Sequence, residues 1–429
     1  MKKKSKLINQ ERSITWVNLG IALASIHYGL GFLVGSGEAI YTNGPRGILY
    51  ALSTAIGLLA MVIIAPFYWT NRDPIWKLMG RYYGNSVEKI VAALSGVWMF
   101  GVIASQILGG ASSLAIFGLG KIPSLVGITA LICLLSLIDM GKLTKIFFYM
   151  LITSSAVLLL SLLQIGIHWV PTSLNSLLST PLRGPGVLEE ASGVLLTTVL
   201  LTVMGMDFHQ FLVKARTKRD SILGPLFGGG ILILLSILLL SLIYGSIKNG
   251  DTAGITDPRQ VIPVILLRFG QSVLPGLGIL LALPVVLVSV GSGSGVNKIV
   301  AKTILDLKLL PKHIGYKRVV ISSGIFTLLL SLLGKSIIDL IVSFYAIYVG
   351  SVFVPFIVYL RDKTAKNKPA SQTTVKQALV VSTISTALVF LLTLFSNAIP
   401  YRPLLILGAG FCSSLIVFAI SKIAPKLHA

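Results

Sequence analysis

Residues 27–38 read HYGLGFLVGSGE and place four glycines inside an apolar stretch that has an ionisable residue at each end. A glycine in a helix interior costs about 1 kcal/mol relative to alanine, so this density of glycine needs an explanation. One explanation is close packing of membrane helices, for which Gly31 and Gly35 have the small-xxx-small spacing. The other is a break in the helix, and the rest of the chain helps to choose between them.

The composition is that of a multi-pass membrane protein. Of the 429 residues, 54% are hydrophobic and 12% are charged, whereas a soluble domain carries roughly 25% charged residues. Apolar segments long enough to cross a bilayer recur along the chain. Such segments must be helical, because lipid offers no hydrogen-bond partners to the backbone. We therefore predict an all-α protein of the cell membrane, surrounded by lipid.

The apolar segments predict twelve membrane spans, joined mostly by short connections. The two longer connections, 70–88 and 247–274, mix charged with apolar residues and are predicted to contain helices on the membrane surface. The predicted spans are 14–41, 47–69, 89–118, 122–140, 146–169, 191–213, 222–246, 275–303, 316–334, 336–360, 377–397 and 402–421.

Lysine and arginine are distributed unevenly over the predicted loops. With the N-terminus placed in the cytoplasm, the cytoplasmic segments and helix ends hold 28 of the 36 basic residues. This is the positive-inside pattern of membrane proteins, and it predicts an even number of spans with both termini cytoplasmic. The same pattern explains the formal net charge of +22 without a nucleic-acid partner.

A second interruption lies in VMGMDFHQF, residues 203–211, within the sixth predicted span. If helices one to five and six to ten are two repeats, the two interruptions occupy corresponding positions, and the odd number of helices gives the halves opposite orientations. Paired broken helices in inverted repeats indicate a transport site near the midplane of the membrane. The glycines of residues 27–38 are therefore interpreted as part of a broken helix.

These repeats define the predicted domain organisation, in which a ten-helix core carries two additional helices. The core covers 14–360, with repeat one near 14–169 and repeat two near 191–360. The remaining parts are predicted as a cytoplasmic tail at 1–13, a cytoplasmic loop at 361–376, two additional transmembrane helices at 377–421 and a cytoplasmic tail at 422–429.

Few ionisable side chains fall inside the predicted spans, and each is a functional candidate because a charge is costly to bury in a bilayer. Glu38 and Asp339 are predicted near the extracellular boundary, Asp207 deeper, and His209 towards the cytoplasmic end of its helix. His27 stands beside the first break, where a titratable imidazole would suit a proton relay. The alternative is a neutral structural histidine that hydrogen-bonds to a neighbouring helix.

The eighth predicted helix alternates serine with glycine in LVSVGSGSGVNKIVAKTIL, residues 287–305. Hard cations take oxygen ligands, so these hydroxyls could face the carbonyls that the first break leaves free. The alternative is a packing helix whose hydroxyls bond back to its own carbonyls.

Four stretches resemble the sodium:solute symporter family of the APC superfamily, although related amino-acid permeases share the same architecture. The resemblance covers roughly residues 14–360. The stretches are GSGEAIYTNGPRGILYALSTAIGLL at 35–59, GRYYGNSVEKIVAALSGVWMFGVIASQILGGA at 80–111, MGMDFHQFLVKARTKRDSILGPL at 204–226 and IVSFYAIYVGSVFVPFIVYL at 341–360.

The resemblance implies a LeuT-type fold, an inverted five-plus-five repeat with broken helices 1 and 6. It also implies a solute site near the breaks, and a sodium site between the backbone of the first helix, around Ser25 and Tyr28, and hydroxyls of the eighth helix. The predicted substrate-binding residues are Gly29, Gly31, Gln106, Asp207, His209, Gln210 and Tyr345. The predicted ion-binding residues are Ser25, Tyr28, Ser289 and Ser292, and His27 is the predicted proton relay.

The predicted function is secondary active transport of a small solute by alternating access, with sodium as coupling ion and no cofactor. An amino-acid or polyamine permease of the same fold, proton-coupled or uncoupled, is the first alternative, in which Asp207 would recognise an amine. A non-transporting membrane sensor built on the same fold is the second. The sequence contains no nucleophile–base pair or metal-ligand spacing that would indicate an enzyme.

Overall fold

The computed structural model describes residues 12–138, 140–180, 187–307, 311, 313–334, 336–364, 370–395 and 402–427. Within these residues the chain is helical, without strands, and carries one isolated backbone bridge between Ile14 and Ala215. The helices are α1 (Trp16–His27), α2 (Ser36–Asn43), α3 (Leu49–Asn71), α4 (Ile75–Tyr83), α5 (Asn85–Ala115), α6 (Lys121–Leu135), α7 (Met140–Ile165), α8 (Trp169–Ser179), α9 (Val187–Met204), α10 (Met206–Leu212), α11 (Lys218–Asn249), α12 (Val261–Val273), α13 (Leu277–Asp306), α14 (Tyr316–Leu333), α15 (Ile337–Thr364), α16 (Gln372–Phe395) and α17 (Arg402–Leu427).

Eight helical segments of the described chain are long and apolar enough to cross a membrane, or nine when one bent pair counts as a single span. Helices α1 and α6 are apolar but have only 12 and 15 residues. At about 1.5 Å per residue, neither crosses a hydrocarbon core of about 30 Å alone. The all-α, multi-pass membrane class is confirmed, whereas the count of twelve spans and the cytoplasmic location of both termini remain predictions.

The helices follow the predicted spans, and the connections 70–88 and 247–274 contain α4 and α12 as expected. Helix α8, which the sequence does not predict, follows directly after the fifth predicted span. Gly166 ends α7 with φ +114°, a backbone conformation that glycine adopts readily. The chain therefore turns, and α8 lies at 94° to Tyr149–Ile165.

The core helices form two groups that are joined by α7 and α15. One group contains α1, α3, α9, α10 and α11, and the other contains α5, α6, α13 and α14. The packing of α1 on α11 is matched by that of α9 on α3, and the packing of α7 on α13 by that of α15 on α5. In each of these two matched pairs, a helix of one repeat packs on a helix of the other, and the equivalent helices pack in the same way with the repeats exchanged. This is expected for two five-helix repeats with the same internal arrangement, and it confirms the five-plus-five repeat.

Glycines allow α1 and α11 to cross with their backbones in close approach. A Cβ atom on Gly20 would lie 2.8 Å from the carbonyl oxygen of Gly224, and one on Gly228 would lie 2.8 Å from the carbonyl oxygen of Gly20. Gly224 and Gly228 have the small-xxx-small spacing of tightly packed membrane helices. The crossing therefore brings the first broken helix directly against the second repeat.

The segment before α1 is attached to α3 and to the connection between α10 and α11. The N–H of Ile14 donates to Lys214 O at 3.1 Å, and the N–H of Arg216 donates to Ile14 O at 2.9 Å. The guanidinium of Arg12 lies 3.5 Å above the Trp69 ring and donates to the Trp69 carbonyl at 2.9 Å. These contacts tie the start of α1 to the rest of its helix group.

Candidate functional site

The first break begins where α1 ends at His27. Tyr28 leaves the helical conformation with φ −75° and ψ 51°, and a π-helical turn at Gly31–Gly35 then leads into α2. The backbone N–H of Leu30 donates to the side-chain oxygen of Gln106 on α5, at 3.2 Å and in a buried position. Because a broken helix leaves backbone groups without helical partners, Gln106 supplies the acceptor that the break removes. The break predicted for the first helix is therefore confirmed.

Gly29 brings this break into contact with both α5 and α13. A Cβ atom at position 29 would lie 3.0 Å from Gln106 Nε2 and 3.1 Å from Ser292 Oγ. A larger side chain would therefore displace two polar groups at once. The predicted residues Gly29, Gln106 and Ser292 come together here.

The second break is the single residue Gly205 between α9 and α10, with extended backbone at φ −65° and ψ 131°. The carbonyls on its N-terminal side bind tyrosine hydroxyls from other helices. Tyr68 on α3 donates to Val203 O at 3.1 Å, and Tyr348 on α15 donates to Met204 O at 3.5 Å. The predicted break in the sixth helix is confirmed.

The two breaks lie next to each other. The imidazole of His27 stacks on the ring of Phe208, with centroids 4.2 Å apart and an interplanar angle of 14°. His27 Nε2 is buried and finds no hydrogen-bond partner within the described residues. A ring from each broken helix therefore forms a contact between the two breaks.

His209, a predicted substrate-binding residue, packs against α3 at the second break. It is 2% exposed, its ring centroid lies 3.4 Å from that of Tyr68, and its Nε2 is 3.4 Å from Val203 O. These contacts occupy one face and one nitrogen of the ring, while Nδ1 is buried and has no hydrogen-bond partner in the described part of the chain.

An aromatic chain extends from the first break towards α15. The hydroxyl of Tyr50 lies 3.1 Å from the position of a Cβ on Gly31 and faces Tyr345. The Trp98 ring meets that of Tyr345 edge-on, with centroids 5.8 Å apart. Tyr50 thus connects Gly31 and Tyr345, two of the predicted substrate-binding residues, and Trp98 extends the group into α5.

The predicted ion-binding serines have different partners. Ser25 Oγ donates to Ile21 O in its own helix at 2.7 Å. Ser289 Oγ donates to the backbone carbonyl of Gln106 at 2.6 Å and so faces α5. Ser292 Oγ lies beside the first break. Of the two serines predicted on α13, Ser292 is the one that reaches the break.

Tyr28, the remaining predicted ion-binding residue, points to α7. Its ring is 3% exposed and its hydroxyl faces Ser154 and Ser155. The hydroxyl has no hydrogen-bond partner of good geometry among the described residues, and the same is true of Ser155 Oγ. Helix α7 therefore contributes hydroxyl oxygens that the sequence does not assign to a site.

Asp207 and Gln210 belong to α10, but their side chains lie outside the described part of the structure. Their predicted roles in substrate binding remain predictions. Asp139, a charged residue near the end of the fourth predicted span, also lies outside the described residues.

A cavity of about 440 Å³ lies between α2, α9, α15 and α17, and Gly35 at the end of the π-helical turn borders it. Its lining includes Glu38, Glu190, Asp339 and Arg402. Arg402 donates to Asp339 Oδ2 at 3.1 Å, and Glu38 Oε2 accepts the backbone N–H of Ile337 at 3.0 Å. Glu38 thus connects α2 to the beginning of α15.

Solved structures of membrane transporters have this architecture. A Na+-coupled sialic acid symporter in a substrate-bound outward-open state matches with a TM-score of 0.65 at 14% identity, over 99% of this chain and 93% of that one. The fold is the LeuT fold. The manganese transporter of Eremococcus coleocola matches with a TM-score of 0.64 at 13% identity, over 97% of both chains. Mhp1, a nucleobase-cation-symport-1 family transporter in a closed conformation with bromovinylhydantoin bound, matches with a TM-score of 0.52 at 14% identity. The match covers 98% of this chain and 97% of that one.

No protein-family model matches the chain, and no curated protein matches it in sequence. At these identities the structural likeness concerns the LeuT fold alone. The predicted LeuT-type fold is confirmed, whereas membership of the sodium:solute symporter family stays a prediction. Within the LeuT fold, α1 with α2 forms helix 1 and α9 with α10 forms helix 6. The division into a ten-helix core and two additional helices stays a prediction.

Several residues of this LeuT-fold site were not predicted from the sequence. A pattern could have indicated two of them, because Tyr50 and Tyr68 are separated on α3 by five helical turns and therefore share a face. The contacts of the others depend on which helices become neighbours. The residues not predicted are Tyr50, Tyr68, Trp98, Ser154, Ser155, Phe208 and Tyr348.

Proposed function

We propose that this protein is a secondary active transporter that carries a small solute across the cell membrane by alternating access. The observation that carries the proposal is the contact between two broken helices from opposite repeats, made by the stacked rings of His27 and Phe208. Broken helices at the centre of such a fold leave backbone groups available to solute and ion. The LeuT-fold neighbours, which include a symporter and a manganese transporter, support it.

In this proposal the solute binds at the first break. There Gly29 lies in close contact with Gln106 Nε2 and Ser292 Oγ, the polar groups that would bind the solute. Asp207 and Gln210 on α10 are included as predicted binding residues. Access alternates when the helix group containing both breaks moves relative to the group built on α5 and α13.

Sodium is the coupling ion in this proposal. Support comes from the hydroxyl of Ser292 beside the break and the buried hydroxyl of Tyr28 near it, because hard cations prefer oxygen ligands. The sialic acid symporter that shares the fold is Na+-coupled. Proton coupling through His27 is the second candidate, favoured by the buried Nε2 atom that has no partner in the described chain.

The test uses the purified full chain in proteoliposomes. Uptake from a library of small solutes is measured under an inward sodium gradient, under an inward proton gradient and with neither. We expect at least one solute to accumulate under the sodium gradient. Accumulation under the proton gradient alone, lost in His27→Gln, would establish the second candidate and remove the first.

Two variants test where the solute binds. Gly29→Leu would displace the polar groups of Gln106 and Ser292, so we expect it to abolish uptake. Gly96→Leu on α5 is the matched control, because nothing lies within 4 Å of the position its Cβ would take. Wild-type uptake by Gly29→Leu would disprove this site. Ligand-induced thermal stabilisation without uptake of any solute would instead indicate a membrane sensor.

A further inference from the structure

Gln106 turns hydrogen-bond donors towards the first break. Its side-chain oxygen accepts the Leu30 N–H at 3.2 Å, which assigns the other end of the amide as NH2. Its backbone carbonyl is held by Ser289 at 2.6 Å. The NH2 group lies beside Gly29, with no hydrogen-bond partner in the described part of the protein. A solute at this point therefore has to offer an acceptor.

Ser292 adds a second donor at the same place. Its Oγ lies 3.1 Å from the position of a Cβ on Gly29, close to the Gln106 amide nitrogen. No hydrogen bond joins the Ser292 hydroxyl to a described residue, in contrast to Ser289 and Ser294, which bond to backbone carbonyls. A hydroxyl can donate its hydrogen to a solute while its oxygen coordinates a cation.

The first backbone N–H of the helix that restarts after the break, that of Leu30, bonds to a side chain of the protein. In transporters with broken helices, the N-terminus of a half-helix receives the anionic group of the substrate. Here the Leu30 N–H is already bound by Gln106, so a neutral carboxamide takes the place of that backbone donor. The NH2 group of Gln106 therefore faces the break as a donor in its place.

The described surroundings of this point are aromatic. They comprise His27 stacked on Phe208, and the Tyr50 hydroxyl facing Tyr345, whose ring meets that of Trp98 edge-on. Flat rings pack best against flat rings, so these surroundings favour a flat solute.

We propose, building on the transport function above, that the site takes a flat solute whose carbonyl oxygen accepts hydrogen bonds from Gln106 Nε2 and Ser292 Oγ. Simple solutes of this class are cyclic or aromatic amides. Aliphatic amino acids, polyamines and divalent metal ions do not belong to this class.

The experiment measures thermal stabilisation and uptake with the full chain. The probes are uracil, nicotinamide and related flat amides on one side, and L-leucine, spermidine and MnCl2 on the other. We expect stabilisation and uptake with a flat amide only. Gln106→Glu keeps an oxygen for the Leu30 N–H but loses the NH2 group, so we expect amide binding to weaken at least about tenfold.

Gln164→Glu is the matched control, because Gln164 lies exposed on α7 and bonds to Ser272 at 2.8 Å. Ser292→Ala provides a second, uncharged test and should weaken amide binding in the same direction. Folding of each variant is checked by its elution volume and its melting temperature without ligand. Wild-type amide affinity in both Gln106→Glu and Ser292→Ala would overturn the assignment.

The outcomes separate this inference from the transport function on which it rests. Stabilisation by L-leucine, spermidine or MnCl2, with none by a flat amide, would overturn the solute class, and uptake of that solute would leave transport intact. Binding of a flat amide without uptake of any solute would support the class and overturn the transport function.

Discussion

The imidazole of His27 and the phenyl ring of Phe208 stack with their centroids 4.2 Å apart. His27 is the last residue of α1, and Phe208 lies in the first turn of α10 just beyond Gly205. The contact therefore joins the two broken helices at their breaks.

Replacing Phe208 tests the importance of that contact. Phe208→Ala removes a ring that is 3% exposed, and we expect a loss of roughly 3 kcal/mol in the free energy of unfolding together with loss of uptake. The measurements are thermal unfolding in detergent and proteoliposome uptake. Phe326→Ala is the control, because Phe326 is 48% exposed and meets Phe100 edge-on. Equal losses in both variants would contradict a special role for Phe208.

Ser289 and Ser292 should give different phenotypes, although both lie on α13. Ser292→Ala removes an oxygen at the break, so we expect the sodium concentration for half-maximal uptake to rise about tenfold. Ser289→Ala removes a buried bond to the Gln106 carbonyl, so we expect about 1 kcal/mol of destabilisation and unchanged sodium dependence. Sodium titrations and thermal unfolding of both variants measure these effects. The reverse pattern would indicate that the ion binds beside Ser289, next to α5.

The crossing of α1 and α11 predicts a position-specific cost for adding one methyl group. Gly228→Ala would place its Cβ 2.8 Å from the Gly20 carbonyl oxygen, and we expect a loss of about 1–3 kcal/mol from overpacking. Gly230→Ala, two residues further on, has nothing within 4 Å and should be neutral or slightly stabilising. Thermal unfolding distinguishes them, and a tolerant Gly228→Ala variant would mean that the helices cross less closely.

Glu38 should stabilise the contact between α2 and α15 through its oxygen more than through its charge. It is 8% exposed and accepts the Ile337 N–H at 3.0 Å. Glu38→Gln keeps an oxygen acceptor, whereas Glu38→Ala leaves a buried N–H unpaired, at a cost of about 1–3 kcal/mol. We expect a lower melting temperature for the alanine variant than for the glutamine variant.

Glu190→Ala is the control for Glu38, because Glu190 borders the same cavity but is exposed. We expect its melting temperature to stay at the wild-type value. A glutamine variant of Glu38 as unstable as the alanine variant would assign the stabilisation to charge instead.

The sequence by itself determined the class of protein, the positions of most helices and the presence of two breaks. These features depend on neighbours along the chain: apolar length sets a span, and glycine and polar residues interrupt it at 27–38 and 203–211. The sequence missed α8, because its direction follows from the left-handed backbone of Gly166 and not from a change in apolar composition.

Only the tertiary structure decided which polar groups meet. Gln106 and Leu30 are 76 residues apart in the chain yet form a buried hydrogen bond. Ser289 and Ser292 look equivalent as hydroxyl donors, but one bonds to α5 and the other reaches the first break. The physical reason is that helix period limits the face a side chain can occupy, whereas close backbone packing between distant segments decides which helix that face meets.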